Sequence, residues 1–303
     1  MTLRVEGGTL AYEVAGDGPL VVLVHGIGNS RAAFRETGDR LVTAGYRVAA
    51  MDLRGHGESS ADWPSYTRGD TADDVLALIR HLGGPAVVVG HSFGGGAATI
   101  AAARAPELVD AVVEIGPFTR NQKIDVRALV SDARHRKGML LLMGAGLLRS
   151  LGLWKRYLDH AYPGTKPAGY AAHVAAVEAD LRRPGRMAAF ARTGMAAPGD
   201  ADARLADVRQ PVLVIMGTLD PDWPDPAAEG AAILARLPEG VGRLELVEGA
   251  GHYAHAQFPD AVAGLITDFL GTPENTNGDS EAGTHGSEAE AGTHGSEAGG
   301  ARG

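Results

Sequence analysis

The sequence predicts a doubly wound α/β protein built on an eight-stranded, mostly parallel sheet with an inserted helical segment. Three observations carry this. Short β-rich runs alternate with helical patterns, most of those runs are almost continuously apolar, and one interval between runs is far longer than a crossover needs.

The elements follow in order. Runs at 3–6 and 10–14 are expected as an antiparallel hairpin. Runs at 20–24, 47–52, 86–89, 111–115, 212–216 and 244–247 read as strands of a parallel sheet covered on both faces. Helices are expected over 71–82, 95–104, 227–237 and 259–270; in the first, Val75, Leu78, Ile79 and Leu82 recur at helical spacing. Right-handed crossovers then link the strands. About 95 residues separate Ile115 from Val212, rich in Ala, Leu, Met and Arg, and read as several helices. They are expected to form a cap over one end of the sheet, spanning 119–206, with 1–118 and 207–271 as the core. Its arginines (Arg134, Arg136, Arg149, Arg156, Arg182, Arg183 and Arg186) are expected to keep its outer face wet, the alternative being that one points inward to bind a carboxylate on the substrate. Residues 272–303 repeat AGTHGSEA at 282–289 and 291–298 and lack large apolar side chains, so disorder is expected there. His285 and His294 in that tail make a weak metal-ligand pair.

Composition narrows the classes. With no cysteine, a disulfide framework, a thiolate metal site and a thiol nucleophile are excluded. The net charge of −9 argues against a nucleic-acid partner. The most apolar run, 138–148, is 11 residues long, short of the ~20 needed to cross a bilayer, so no membrane partner is expected. The N-terminus shows no basic-then-apolar leader, and a cytoplasmic location is the expectation.

In open parallel sheets, sites form beyond the carboxyl ends of the strands. The run at 86–89 passes into Gly90-His91-Ser92-Phe93-Gly94. So tight a strand-to-helix turn holds Ser92 in an unusual conformation, exposed at the positive end of the next helix. The run at 20–24 passes into His25-Gly26-Ile27-Gly28-Asn29, where the backbone N–H of Ile27, paired with that of Phe93, can form an oxyanion hole. The runs at 212–216 and 244–247 end in Asp220, with Asp222 and Asp225 as rivals, and in His252. A serine needs a base, and the base needs an acid that fixes its tautomer. These four loops supply a serine, an acid and a histidine in that order.

With these loops, and with Met51-Asp52-Leu53-Arg54-Gly55-His56-Gly57-Glu58-Ser59 after the fourth run, residues 1 to about 271 resemble the α/β-hydrolase superfamily. The resemblance implies the α/β-hydrolase fold, Ser92 as nucleophile, Asp220 as acid, His252 as base, and the amides of Ile27 and Phe93 as the oxyanion hole. It implies a serine hydrolase without cofactor or metal. The expected substrate is a small or medium, largely uncharged carboxylic ester or lactone. Carbon–carbon hydrolysis of ring-fission products, perhydrolysis, peptidase action and acyl transfer share the same triad, and a slow ligand-binding or receptor role shares the fold.

Other candidates have plainer roles. His91 and His25 are expected to be structural, His255 to line the pocket or sit exposed, and Asp52 and His56 to stabilise the fold. Glu114 matters only if the acid comes from its strand. Met139–Met143, Leu147, Leu148, Leu151 and Trp154 either line a pocket or form the core of packed helices. Tyr157, Tyr162 and Tyr170 resemble the lid tyrosines of epoxide hydrolases, but those enzymes place a carboxylate where Ser92 stands.

Overall fold

A computed structural model describes residues 1–121 and 125–271; the tail repeats, His285 and His294 lie outside the described residues. Eight strands, β1 (Thr2–Val5), β2 (Gly8–Ala15), β3 (Leu20–Val24), β4 (Arg47–Met51), β5 (Ala86–His91), β6 (Val109–Ile115), β7 (Val212–Gly217) and β8 (Gly242–Val247), form one sheet in the order β1-β2-β4-β3-β5-β6-β7-β8. β1 and β2 form the antiparallel hairpin, β2 meets β4 antiparallel, and every later pairing is parallel. Register brings the carboxyl ends level: Val24 pairs with Gly90, His91 with Ile115, and Gly217 with Val247. The loops that follow β3, β5, β7 and β8 therefore meet along one rim.

Around the sheet lie α1 (Arg35–Thr43), α2 (Arg68–Leu82) and α3 (Phe93–Arg104). Between β6 and β7 come α4 (Val126–Ser131), α5 (Ala133–Leu147), α6 (Leu151–Ala161), α7 (Tyr170–Leu181), α8 (Arg186–Met195) and α9 (Gly199–Asp202). The last three are α10 (Pro226–Leu234), α11 (Ala254–Gln257) and α12 (Pro259–Leu270). Two apolar clusters cover the two faces of the sheet. One joins Val22, Val24, Val88, Val112 and Val214 to α2 and α3, and the other joins Val21, Leu23, Val89, Val113 and Leu213 to α1 and α12. Alternate residues of each strand point to opposite clusters, so continuous apolar runs are what a sheet buried on both faces requires. A third cluster packs the inserted helices through Trp154, Tyr157, Leu158 and Phe190, and takes in Tyr253 from the rim.

The start of α2 illustrates local control. Thr67 accepts the backbone N–H of Asp70 (3.1 Å) while the Asp70 carboxylate accepts that of Thr67 (2.8 Å), a reciprocal cap that satisfies otherwise orphaned donors. The helix ends at Gly83 with φ 81°, a left-handed cap that glycine adopts without a Cβ penalty.

Three expectations change. β8 is not covered on both faces: it closes one edge of the sheet, and most of its residues keep partial exposure. α1 escaped the periodicity reading because it buries only Thr37, Gly38 and Leu41, too few apolar residues to mark a stripe. Finally, several arginines of 119–206 bond to the rest of the protein, Arg186 from a buried position and Arg183 while still exposed. Arg134 donates to the Trp223 carbonyl (3.0 Å), and Arg183 and Arg186 both donate to that of Gly57 (2.7 Å each). These contacts close loose loop carbonyls with charged donors. No helix among the described residues is long and apolar enough to cross a membrane.

Candidate functional site

Ser92 sits at φ 56°, ψ −117°; besides Arg149 it is the only non-glycine residue with positive φ among the described residues. Such a conformation costs roughly 1–3 kcal/mol and persists only where the surroundings enforce it. Here the enforcement is visible. The Ser92 N–H donates to Ile115 on β6 (2.9 Å), and its carbonyl accepts from Gly95 and Phe118 (3.1 Å each). The turn is so tight that a Cβ on Gly90 would lie 2.2 Å from the Gly94 carbonyl oxygen, and one on Gly94 would lie 2.3 Å from that of Val24. Only glycines fit on either side.

The loop after β3 passes directly over this turn, since a Cβ on Gly26 would fall 2.8 Å from the Cβ of Ser92. Phe93 begins α3, so its N–H has no intrahelical acceptor. Among the described residues the N–H of Ile27 makes no backbone hydrogen bond either. Both residues line the same cavity as Ser92.

His252 comes from the loop after β8. Its Nδ1 bonds Oδ2 of Asp220 at 2.8 Å, and Asp222 Oδ2 lies 3.3 Å from the same nitrogen. Asp222 in turn donates its N–H to Asp220 Oδ1 (2.9 Å) and accepts from the Tyr157 hydroxyl (2.7 Å) on α6. The third acid, Asp225, accepts from the Ala228 N–H (3.0 Å) and caps α10 instead. So the structure brings Asp220 and His252 together, separates Asp225, and adds Asp222 as a second carboxylate on the imidazole.

This crowding sets the charges. Burial alone would lower the pKa of His252, but Asp220 and Asp222 more than reverse it and hold the imidazole at about 9. Burial pushes Asp222 up to about 6 against the opposing pull of His252. Asp220, Asp222 and His252 also offer three ligand atoms within 4.8 Å of one another, a set with the chemistry to hold a cation.

The remaining candidates have structural partners. His91 Nε2 bonds the His252 carbonyl oxygen at 3.0 Å. His25 accepts the Leu53 N–H at Nε2 (3.0 Å) and bonds the Gly26 carbonyl oxygen at Nδ1 (2.7 Å), tying two rim loops together. Asp52 accepts the N–H groups of Arg31 (2.7 Å) and Glu58 (2.9 Å), and His56 bonds the Arg54 carbonyl oxygen (3.0 Å). Glu114, pushed up to about 7 by burial, accepts from the Thr99 and Thr119 hydroxyls. His255 neither lines the cavity nor sits exposed: it is fully buried and stacks on Phe34 at 4.4 Å.

The cavity above Ser92 measures about 270 Å³, at the small end of ligand pockets, which run ~300–1,000 Å³. From the inserted segment it takes Leu142, Trp154, Tyr157 and Phe190, with the exposed Met143 and Leu147 also in its wall; Leu140 and Leu148 lie outside it and face solvent, and Leu141 packs in the helical core. Tyr162 stacks on Tyr253 at 4.7 Å. Sequence reasoning missed Gly116 and Arg68 altogether, and missed the partner of Tyr157. Gly116, at φ 50°, lies beneath the acid–histidine pair, where a Cβ would approach Asp220 Oδ2 to 3.1 Å. Tyr157 reaches Asp222 only because α6 packs over the rim. Arg68, on the first turn of α2, lines the cavity although its neighbours in sequence read as an ordinary helix start.

Known proteins share the sequence pattern and the fold. A sequence profile of the Alpha/beta hydrolase family matches residues 21–265. The 2-(acetamidomethylene)succinate hydrolase of Mesorhizobium japonicum is 30% identical over 278 residues, covering 88% of this chain and 94% of that protein. A hydrolase from Pseudomonas aeruginosa superposes with a TM-score of 0.66 at 28% identity, covering 89% of this chain and 98% of the other. An esterase from Exiguobacterium antarcticum shares the fold, with a TM-score of 0.73 at 19% identity over 88% and 97% of the two chains. The chain belongs to the alpha/beta hydrolase family, and it is a hydrolase of that family.

Proposed function

We propose that this protein is a serine hydrolase that cleaves a small or medium carboxylic ester or lactone through an acyl-enzyme at Ser92. The observation that carries the reading is the strained Ser92 turn, which opens into the same cavity as His252 and the amides of Ile27 and Phe93. In the first step Ser92 Oγ attacks the acyl carbon, and its proton passes to His252 Nε2. Asp220 holds the Nδ1 proton, which leaves Nε2 unprotonated to act as the base. The two amides stabilise the tetrahedral oxyanion; removing one such donor typically costs ~3–4 kcal/mol of transition-state stabilisation. The His252 proton then leaves with the alcohol. Water, deprotonated by His252, attacks the acyl-enzyme, releases the acid and restores Ser92. Residues 119–206 act as a cap in this scheme, roofing the cavity with Trp154, Tyr157 and Phe190.

Cavity size supports a short acyl chain, since about 270 Å³ is small for a ligand pocket. An amide is the second reading, favoured by the acetamido compound in the name of the Mesorhizobium relative. A fluorophosphonate is expected to label Ser92 stoichiometrically. Among p-nitrophenyl esters from acetate to palmitate, the highest kcat/KM is expected for a short or medium chain. A maximum at palmitate, or labelling elsewhere, overturns the proposal. EDTA is expected to leave the rate unchanged; loss of activity restored by zinc would assign Asp220, Asp222 and His252 to a metal instead.

A further inference from the structure

Three arginines are buried among the described residues: Arg54, Arg68 and Arg186. Two have carboxylates. Arg54 forks onto Asp74 through Nε and Nη2 (2.8 Å each), and Arg186 Nε lies 3.7 Å from Asp180. Arg68 has no carboxylate within ion-pair distance among the described residues; Asp200, the acid that acts on it electrostatically, is taken up by the Gly69 N–H (3.1 Å). Its Nε donates to the Phe118 carbonyl (3.0 Å) and its Nη1 to that of Ala196 (2.6 Å). Nη2 makes no hydrogen bond among the described residues. Burial lowers the group only to about 10, so it carries its charge at neutral pH.

A buried cation without a counter-ion is costly unless something pairs with it. This one lies in the wall of the cavity that holds Ser92. It is also built in. The guanidinium stacks on the ring of Phe93 at 4.4 Å, next to Ser92, and a Cβ on Gly96 would come within 2.6 Å of Arg68 Cδ, so glycine there makes room for the stem. The other ionisable cavity residues, Asp222 and His252, face each other at 3.3 Å, and Asp222 is further engaged by Tyr157.

We propose that Arg68 is a specificity-determining residue that pairs with a carboxylate on the substrate, so that the compound cleaved at Ser92 carries an anionic group besides its scissile ester. This rests on the serine-hydrolase reading and replaces the uncharged substrate that the composition of 119–206 suggested. Nη2 supplies the donor that the protein leaves unpaired, and the charge on both partners strengthens the bond.

The test compares monophenyl adipate with phenyl hexanoate, which differ by a terminal carboxylate. The wild-type protein is expected to favour the adipate by about tenfold or more in kcat/KM, the range of a hydrogen bond to a charged group. Arg68→Met should reduce that ratio at least tenfold, and Arg68→Lys should keep most of it. A ratio of esters cancels any uniform loss from the two carbonyl contacts, and melting curves report whether each variant folds. Binding is read separately by titrating adipate into Ser92→Ala protein with and without Arg68→Met; weaker binding on loss of the arginine is expected. Equal ratios in wild type and Arg68→Met, or adipate binding that ignores the substitution, would overturn the proposal. Fluorophosphonate labelling reports independently on the serine-hydrolase reading. If Ser92 labels but the carboxylate confers no advantage, only the Arg68 assignment falls.

Discussion

Replacing Ser92 by alanine is expected to lower kcat by at least about ten-thousandfold while the protein stays folded. The nucleophile and its base act as one unit, so His252→Ala should lose about as much and the double variant little more. Stability offers a second readout at the same position. Alanine keeps a Cβ and therefore keeps the strain of a positive φ, so its melting temperature should stay close to that of wild type. Glycine adopts that conformation freely. Relief of roughly 1–3 kcal/mol of strain, less about 0.5–1 kcal/mol of extra chain entropy, should make Ser92→Gly more stable than Ser92→Ala. Activity above a few per cent in Ser92→Ala would refute the assignment, and a glycine variant that melts below the alanine one would refute the strain argument.

The two carboxylates beside His252 should separate in their effects. Asp220→Asn removes the bonded partner of Nδ1 and presents a group that no longer fixes its proton. A loss of about a thousandfold in kcat is expected, below the roughly ten-thousandfold that such substitutions reach, because Asp222 stands 3.3 Å from the same nitrogen and can substitute in part. Asp222→Asn should cost less than tenfold and should instead move the pH profile. His252 works as a base only when neutral, and its pKa is held up at about 9 by the two negative charges. The rate of the wild-type protein should therefore rise with pH well above the ~6.5 of an ordinary histidine. Removing the Asp222 charge lowers the pKa of His252, so the acid limb should shift to lower pH. Asp225→Asn, which touches only the cap of α10, should leave the profile in place. A larger loss at Asp222 than at Asp220, or a limb that moves upward, would reverse the assignment.

How much of this was legible depends on where the information sits. The turns around Ser92 and the glycine loop after β3 are local: they need small residues beside a reactive one, and sequence spacing records that. The strands were legible for a similar reason, since burial on both faces leaves unbroken apolar runs. β8 misled because Leu244, Leu246 and Val247 suggest a covered strand, whereas it closes an edge where only Val247 is buried and Leu246 is exposed. The walls of the cavity were legible only in part: Trp154 and Met143 stood among the candidates, but nothing separated lining from helical core. Arg68 and Tyr157 gain their meaning from packing across long stretches of chain: Arg68 reaches carbonyls at 118 and 196, and Tyr157 reaches Asp222. Nor does spacing distinguish Asp220 from Asp222. The resemblance to a family selected Asp220, and the structure shows both carboxylates turned to one nitrogen.

The two carbonyls that Arg68 holds have a mechanical consequence. Phe118 lies where the chain leaves the sheet after β6, and Ala196 lies at the end of α8, near its return. One rigid planar group thus clasps both stalks of the helical segment. Swinging that segment outward would stretch both bonds in concert, so the stalks yield together and not one after the other. An anion drawn to the same guanidinium would pull on both of these bonds at once.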